Sequence, residues 1–151
     1  MITLYGALGG SATVHALADA WHRRVLADPV VSHAFRRFEP DHTQRLAAYW
    51  TQAWGGPADY TATYGSESDL VRMHSGNGEH EEMNRRAIAC FDAALSDAGV
   101  PEGELRDALH DYFAFMTTGP MYAYHESAAD VPDDLTVTRW GLAGRLESQE
   151  P

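Results

Sequence analysis

A chain of 151 residues with 44% hydrophobic and 22% charged side chains has the size and composition of one globular domain, able to bury roughly 70% of the surface its unfolded form exposes, and not those of a disordered chain. Eleven basic residues against 22 acidic ones leave a net charge of -11, which excludes the positive footprint a nucleic acid needs and disfavours an anionic membrane surface. The single cysteine, Cys90, permits no internal disulfide, no apolar run is long enough to span a membrane, and Met1–Tyr5 lacks the basic, apolar character of a secretory leader, so a cytoplasmic location is expected.

In chain order, Val14, Leu17, Ala18, Trp21 and Val25 recur at steps of three and four and predict a helix over Ser11–Ala27, with Ser11 as its N-cap and Asp28-Pro29 as its stop. A short helix follows from Pro29 to about Phe35. A third begins near Asp41 and carries His42, Leu46, Tyr49 and Ala53 on one stripe, and Gly55-Gly56-Pro57 ends it. Gly55–Ser66 reads as an ordered loop. Glu67–His74 reads as a short amphipathic segment with Leu70, Val71 and Met73, cut by Gly76-Asn77-Gly78. A long helix over Glu79–Ala98 faces Met83, Ala87, Ile88, Phe91, Ala94 and Leu95 inward. Pro101 suits the first turn of another, with Leu105, Leu109, Tyr112, Phe113 and Met116 as its apolar face, stopped at Gly119-Pro120. Residues 1–125 form the predicted helical domain. Residues 126–151 read as an acidic tail, with Trp140 placed to fold back onto the body, and no strand pattern competes with the helices.

All eleven basic residues are arginine, so Schiff-base chemistry and the lysine of phosphate-binding loops are excluded. Eight histidines leave imidazoles to spare. Paired Glu-x-x-His motifs for a di-iron bundle are missing, His80-Glu81-Glu82-Met83-Asn84 breaks the zinc-protease pattern, and one cysteine cannot build a thiolate cluster. A site with one axial ligand and an apolar slot remains, as a haem requires. His74, at the end of a short helix and before a glycine turn, suits that role. On local pattern alone the stronger reading is a helix C-terminal residue, whose charge complements the macrodipole.

Leu4-Tyr5-Gly6-Ala7-Leu8-Gly9-Gly10, Ala27-Asp28-Pro29-Val30, Trp54-Gly55-Gly56-Pro57 with Tyr60, and Arg72-Met73-His74 together make the chain resemble a group II truncated haemoglobin over roughly Ile2–Tyr124. The resemblance implies an all-α fold, a two-over-two helical sandwich around haem b, with His74 as the iron ligand. It places His22 where the family carries a tyrosine, with Trp21 before it in place of phenylalanine, Phe35 as the aromatic that wedges the ring, and His42 with Leu46 at the distal gate. Ala87 stands where this group normally has a tryptophan, which predicts a roomier pocket. Arg45 and Arg72 are candidates for the haem propionates, and Tyr60 either reaches a propionate or fastens its loop.

The resemblance implies a haem b protein that binds oxygen or another diatomic ligand at iron, with a reductase as the partner that keeps the iron ferrous. Two distal histidines also suit a peroxidase or a nitric-oxide dioxygenase. A haem-free helical interaction module that keeps the fold is the alternative from another class. With histidines at the gate, imidazole titration near its reference pKa of about 6.5 predicts pH-dependent ligand kinetics in that range.

Overall fold

The computed structural model describes residues 2–35 and 40–146. The sequence pattern does not announce the first helix, α1 (Leu4–Leu8), because it is a single turn; Thr3 caps it, its Oγ1 accepting from Gly6 N at 2.9 Å. Gly9 and Gly10, both at positive φ, turn the chain into α2 (Ser11–Ala27). The expected cap at Ser11 is corrected here: Ser11 is the first helical residue, and Gly10 holds the cap position. Asp28 ends the helix in an extended conformation, and its Oδ1 accepts from Val30 N and Val31 N at 2.8 and 2.9 Å. Those two bonds direct the chain into a 3₁₀ turn over Val31–Phe35, shorter than the helix expected from Pro29.

Helix α3 (His42–Ala53) starts after Asp41, which makes no side-chain cap bond but pairs with Arg45 one turn on, at 3.0 Å. Besides the expected stripe, Ala47, Trp50 and Thr51 are buried, because α3 is covered on more than one side. The glycines that end it are required by close packing. A Cβ on Gly55 would lie 2.7 Å from Thr3 Cγ2, one on Gly56 would lie 2.7 Å from Thr51 Cγ2, and Tyr5 N donates to Trp54 O at 2.9 Å. Trp-Gly-Gly-Pro is thus the seat on which α1 rests.

The loop expected over Gly55–Ser66 contains a one-turn helix, α4 (Asp59–Thr63). Helix α5 (Glu67–Met73) is capped by Ser66 Oγ, which accepts from Asp69 N at 3.1 Å, and ends on His74. Helix α6 spans Glu81–Asp97 and α7 spans Glu104–Thr118. Pro101 lies before α7 rather than in its first turn, and Gly103 occupies the cap position.

Helix α2 packs on α3 and α6 on α7, and the two layers meet chiefly where α2 crosses α6, giving the two-over-two sandwich. Stacked aromatic pairs fill the interior, Trp50 on Trp54 at 5.2 Å and Phe91 on Phe113 at 4.4 Å between centroids, with Leu4, Leu17, Leu95 and Leu109 sealed around them.

After α7 the chain is fastened along the body. Gly76 N donates to Tyr124 O and Gly78 N to His125 O, a 3₁₀ turn forms at Ala128–Asp130, and Trp140–Gly141 (β1) pairs antiparallel with Gly144–Arg145 (β2). Two strands therefore occur where none was expected; each has two residues, too few to leave an alternating pattern in the sequence. Trp140 is 7% exposed, its ring 5.9 Å from Tyr112 and 5.3 Å from Phe115. Residues 147–151 of the predicted tail lie outside the described residues.

Candidate functional site

His74 is set by α5. Its Nδ1 lies 2.8 Å from the carbonyl oxygen of Leu70, one turn back, and since a carbonyl only accepts, Nδ1 carries the proton. Burial, aided by the charge His80 would carry, lowers the pKa of His74 against the opposing effect of the Leu70 bond, so the ring is neutral and Nε2 keeps its lone pair. The same ring is open to solvent. A group that is both desolvated by surrounding protein and reachable by water stands on the wall of a slot, not on a convex surface. Neighbouring Met73, 73% exposed, points away, as adjacent positions on a helix do.

His42, on the first turn of α3, faces His74 closely enough for their charges to interact. Burial first, then the like charges of His22, His74 and Arg45, bring the pKa of His42 down to about 4 against the pull of Asp41. His22 joins it from α2, with ring centroids 5.6 Å apart, and places Nδ1 2.8 Å from Thr43 Oγ1. Burial lowers the pKa of His22 as well, partly offset by Asp19. Phe35 closes the group, 5.4 Å from His42 and edge-on to Trp21 at 5.5 Å, and Leu46 packs partly buried against the core one turn beyond His42.

Three sequence expectations change, and for Tyr60 one of two alternatives is selected. The titration expected near 6.5 moves to about 4 at His42 because the ring is buried among like charges. The pocket at Ala87 is not simply enlarged: Trp21 lies against it, its Nε1–H donating to Ala87 O at 3.2 Å, so an indole from α2 approaches where α6 carries only a methyl. Arg72, expected at a propionate, is committed to Asp69 at 3.1 Å, to Val131 O at 3.4 Å and to Asp133. Tyr60 is buried, edge-on to Tyr49 at 5.2 Å and beside Tyr64, and fastens its loop instead of reaching outward. Arg45 lies 4.9 Å above the ring of Tyr64, bonds Asp41, is about half exposed, and is near enough to His42 for its charge to act there.

The sequence reading passed over Glu67. It is 3% exposed, and its Oε1 accepts from Tyr49 Oη at 2.7 Å. An acid at the first position of a helix ordinarily signals an exposed dipole partner. Here burial pushes its pKa up to about 7, against the lowering effect of the Tyr49 bond. Tyr49 on the inward stripe of α3 was the available signal, since a buried phenol needs a partner.

Among the described residues no cluster of three His, Cys, Asp or Glu is placed to hold a metal ion. No described helix is long and apolar enough to cross a membrane.

Comparison with known proteins accords with this geometry. Among curated proteins, a group 1 truncated hemoglobin of Tetrahymena pyriformis is 27% identical over 107 residues, covering 70% of this chain and 84% of that one. The hemoglobin of Chloroflexus aurantiacus superposes with a TM-score of 0.70 at 28% identity, covering 80% of this chain and 98% of that one. The group II truncated hemoglobin of Bacillus anthracis superposes at 0.71 with 22% identity, covering 89% and 95%, a likeness of fold. Residues 3–121 match the family described as bacterial-like globin, and the chain belongs to that family, with the truncated globin fold.

Proposed function

We propose that the slot between His74 and His42 holds haem b, with His74 Nε2 as the protein ligand of its iron, and that the protein binds oxygen or another diatomic gas. The observation that carries this reading is the His74–Leu70 hydrogen bond. A backbone carbonyl on Nδ1 fixes the tautomer and ring orientation and leaves Nε2 as the donor, the usual support for a metal-bound imidazole. Membership of a globin family supports the cofactor, and the hemoglobins it resembles support the gas.

The residues present fit such a ring. Phe35 and Leu46 offer apolar contact, His74 is reachable from the slot, and Arg45, about half exposed and near His42, is the candidate for a propionate. When bound, haem supplies an iron that coordinates a diatomic molecule. His42 is held neutral, so it offers one N–H and one lone pair rather than a cation, and His22 stands beside it as a second polar group. A reductase partner and a cytoplasmic location belong to this proposal.

The test is the optical spectrum of haem-reconstituted wild type and His74→Ala. Loss of the imidazole ligand is expected to alter the spectrum and speed haem loss. An unaltered spectrum and retention would exclude His74 as ligand, with His80 next to be examined; its Nδ1 lies 2.9 Å from Asn84 Oδ1.

One observation favours a second reading, a haem-dependent peroxidase. A distal imidazole with a pKa of about 4, next to another imidazole, is unprotonated at neutral pH, the state in which a base accepts a proton from an entering hydroperoxide. Stable oxygen binding without peroxide consumption would exclude it.

A further inference from the structure

At the N-terminal end of α5, a cleft of about 390 Å3 opens between α3, α4, the start of α5 and residues 135–137 of the C-terminal segment. That volume is within the range of small-molecule sites. Glu67, Gln52, Thr61, Ser66 and Thr136 give it polar walls, and Leu135 and Val137 give it an apolar side. One oxygen of the Glu67 carboxyl is taken by Tyr49. The other, Oε2, has no hydrogen-bond partner among the described residues, and Glu67 is one of the residues that line this cleft.

The electrostatics select the ligand. Three phenols face Glu67: Tyr49 from α3, Tyr60 from α4 and Tyr112 from α7. No described basic side chain acts on the carboxyl. Gln52 Oε1 accepts from Thr61 N at 3.0 Å and from Thr61 Oγ1 at 3.2 Å, and Ser66 Oγ accepts from Asp69 N; both side chains are uncharged, so neither neutralises the carboxyl. A buried carboxyl without a counter-charge, at the floor of an open cleft in a chain of net charge -11, is complementary to a cation with N–H donors and a small apolar body.

We propose that this cleft is a second binding site, separate from the slot at His74, for a small organic cation of the alkylammonium or alkylguanidinium class, which pairs with Glu67 Oε2 and rests its carbon chain on Leu135 and Val137. The site takes a ligand whose N–H groups replace the missing counter-charge. Binding draws Glu67 into its ionised form: the carboxyl proton leaves to buffer as the cation enters, and charge is conserved. Because the floor is the first residue of α5 and one wall is the segment that also fastens that helix, the ligand touches both supports of the proximal side.

The experiment is titration calorimetry of the full chain, with and without haem, using methylguanidinium, which does not ligate iron. One saturable site is expected. Affinity should weaken about tenfold between pH 8 and pH 6, because the fraction of Glu67 ionised falls about tenfold across a pKa of about 7. At pH 6, heats in buffers of different ionisation enthalpy should report about one proton released per cation. Glu67→Gln, which keeps the shape but not the charge, should abolish binding. Thr136→Trp, at an exposed position on the rim, should block it without touching the buried carboxyl. Absence of saturation, or a Kd unchanged in either variant, overturns the proposal. Should Glu67→Gln fail to fold, Thr136→Trp and the proton count decide. The haem reading stands or falls separately, since the haem-free arm and the proton count do not involve iron.

Discussion

The distal wall of the slot is built from rings that belong to the main core, His42 and His22 backed by Phe35, Trp21 and the stacked pairs beyond them, whereas the proximal wall is one short helix held from behind. Helix α5 is gripped on one side by Tyr49 through Glu67 and on the other by the C-terminal segment, where Leu135 N donates to Ser68 Oγ at 3.0 Å and Val131 and Asp133 engage Arg72. One wall is positioned by packing and the other by polar bonds to distant chain. A close-packed wall resists displacement because any shift costs many contacts at once, whereas a wall held by a few bonds moves when one of them changes.

Burial drives the ionisable groups of the two sides to the same uncharged state by opposite routes. His42 loses its proton more easily than in water and Glu67 keeps its proton longer. Near pH 6 the distal wall therefore presents a neutral imidazole at His42, and the carboxyl of Glu67 behind the proximal helix is largely neutral as well.

The largest effect is expected from the C-terminal grip. Trp140→Ala removes a buried indole from Tyr112 and Phe115 and should cost about 3–5 kcal/mol in urea unfolding. If proximal support depends on that segment, haem loss should also accelerate, while the interactions of His22 and His42 stay as they are. A cost below about 1 kcal/mol would mean that the segment rests on the domain without bracing it.

The next effect separates the two walls by pH. His42 has a folded pKa below its unfolded value, so the unfolded chain binds more protons between about 4 and 6.5, and His42 destabilises the fold as pH falls through that window. Glu67 has a folded pKa above its unfolded value, so the fold binds more protons between 4.5 and about 7, and its contribution is lost as pH rises through that window. The two slopes oppose each other in the haem-free protein. His42→Leu should leave a stability that falls with rising pH, and Glu67→Gln one that rises. Each change should be on the order of 2 kcal/mol across the window, allowing for solvent screening at partly accessible groups. Variants with the wild-type pH profile would show that neither group is shifted.

Much of this architecture is legible in the sequence, for reasons that differ by element. The periodicity of α2 and the breakers around α3 locate both helices, because an amphipathic stripe and a glycine-proline stop are local signals. His74 is legible through its motif. What escapes is non-local. Glu67 reads as a surface acid until α3 lays Tyr49 against it, Arg72 reads as an arginine free for an anion until the C-terminal segment brings Asp133, and Ala87 reads as empty space until Trp21 crosses from α2. The pKa of His42 follows from burial and from His22 and His74 on other elements as well as Arg45 one turn on, and spacing along the chain encodes only the last of these.

The smallest effect tests the polar side of the comparison most directly. Tyr49→Phe deletes the hydroxyl that donates to Glu67 Oε1 and leaves the ring to pack on Tyr60. A hydroxyl bond to a neutral carboxyl contributes about 1 kcal/mol, and one to a carboxylate about 1.5–3 kcal/mol. The loss should therefore be about 1 kcal/mol at pH 5, where Glu67 is protonated in the fold, and larger at pH 8, where it is ionised. The sign follows from linkage: the Tyr49 bond lowers the pKa of Glu67, so its removal raises that pKa further and increases the stability lost as pH rises. Unfolding of wild type and Tyr49→Phe at the two pH values gives the difference. A deficit equal at both would mean that Tyr49 packs beside the carboxyl without feeling its charge, and the proximal wall would then be held by contact area, as the distal wall is.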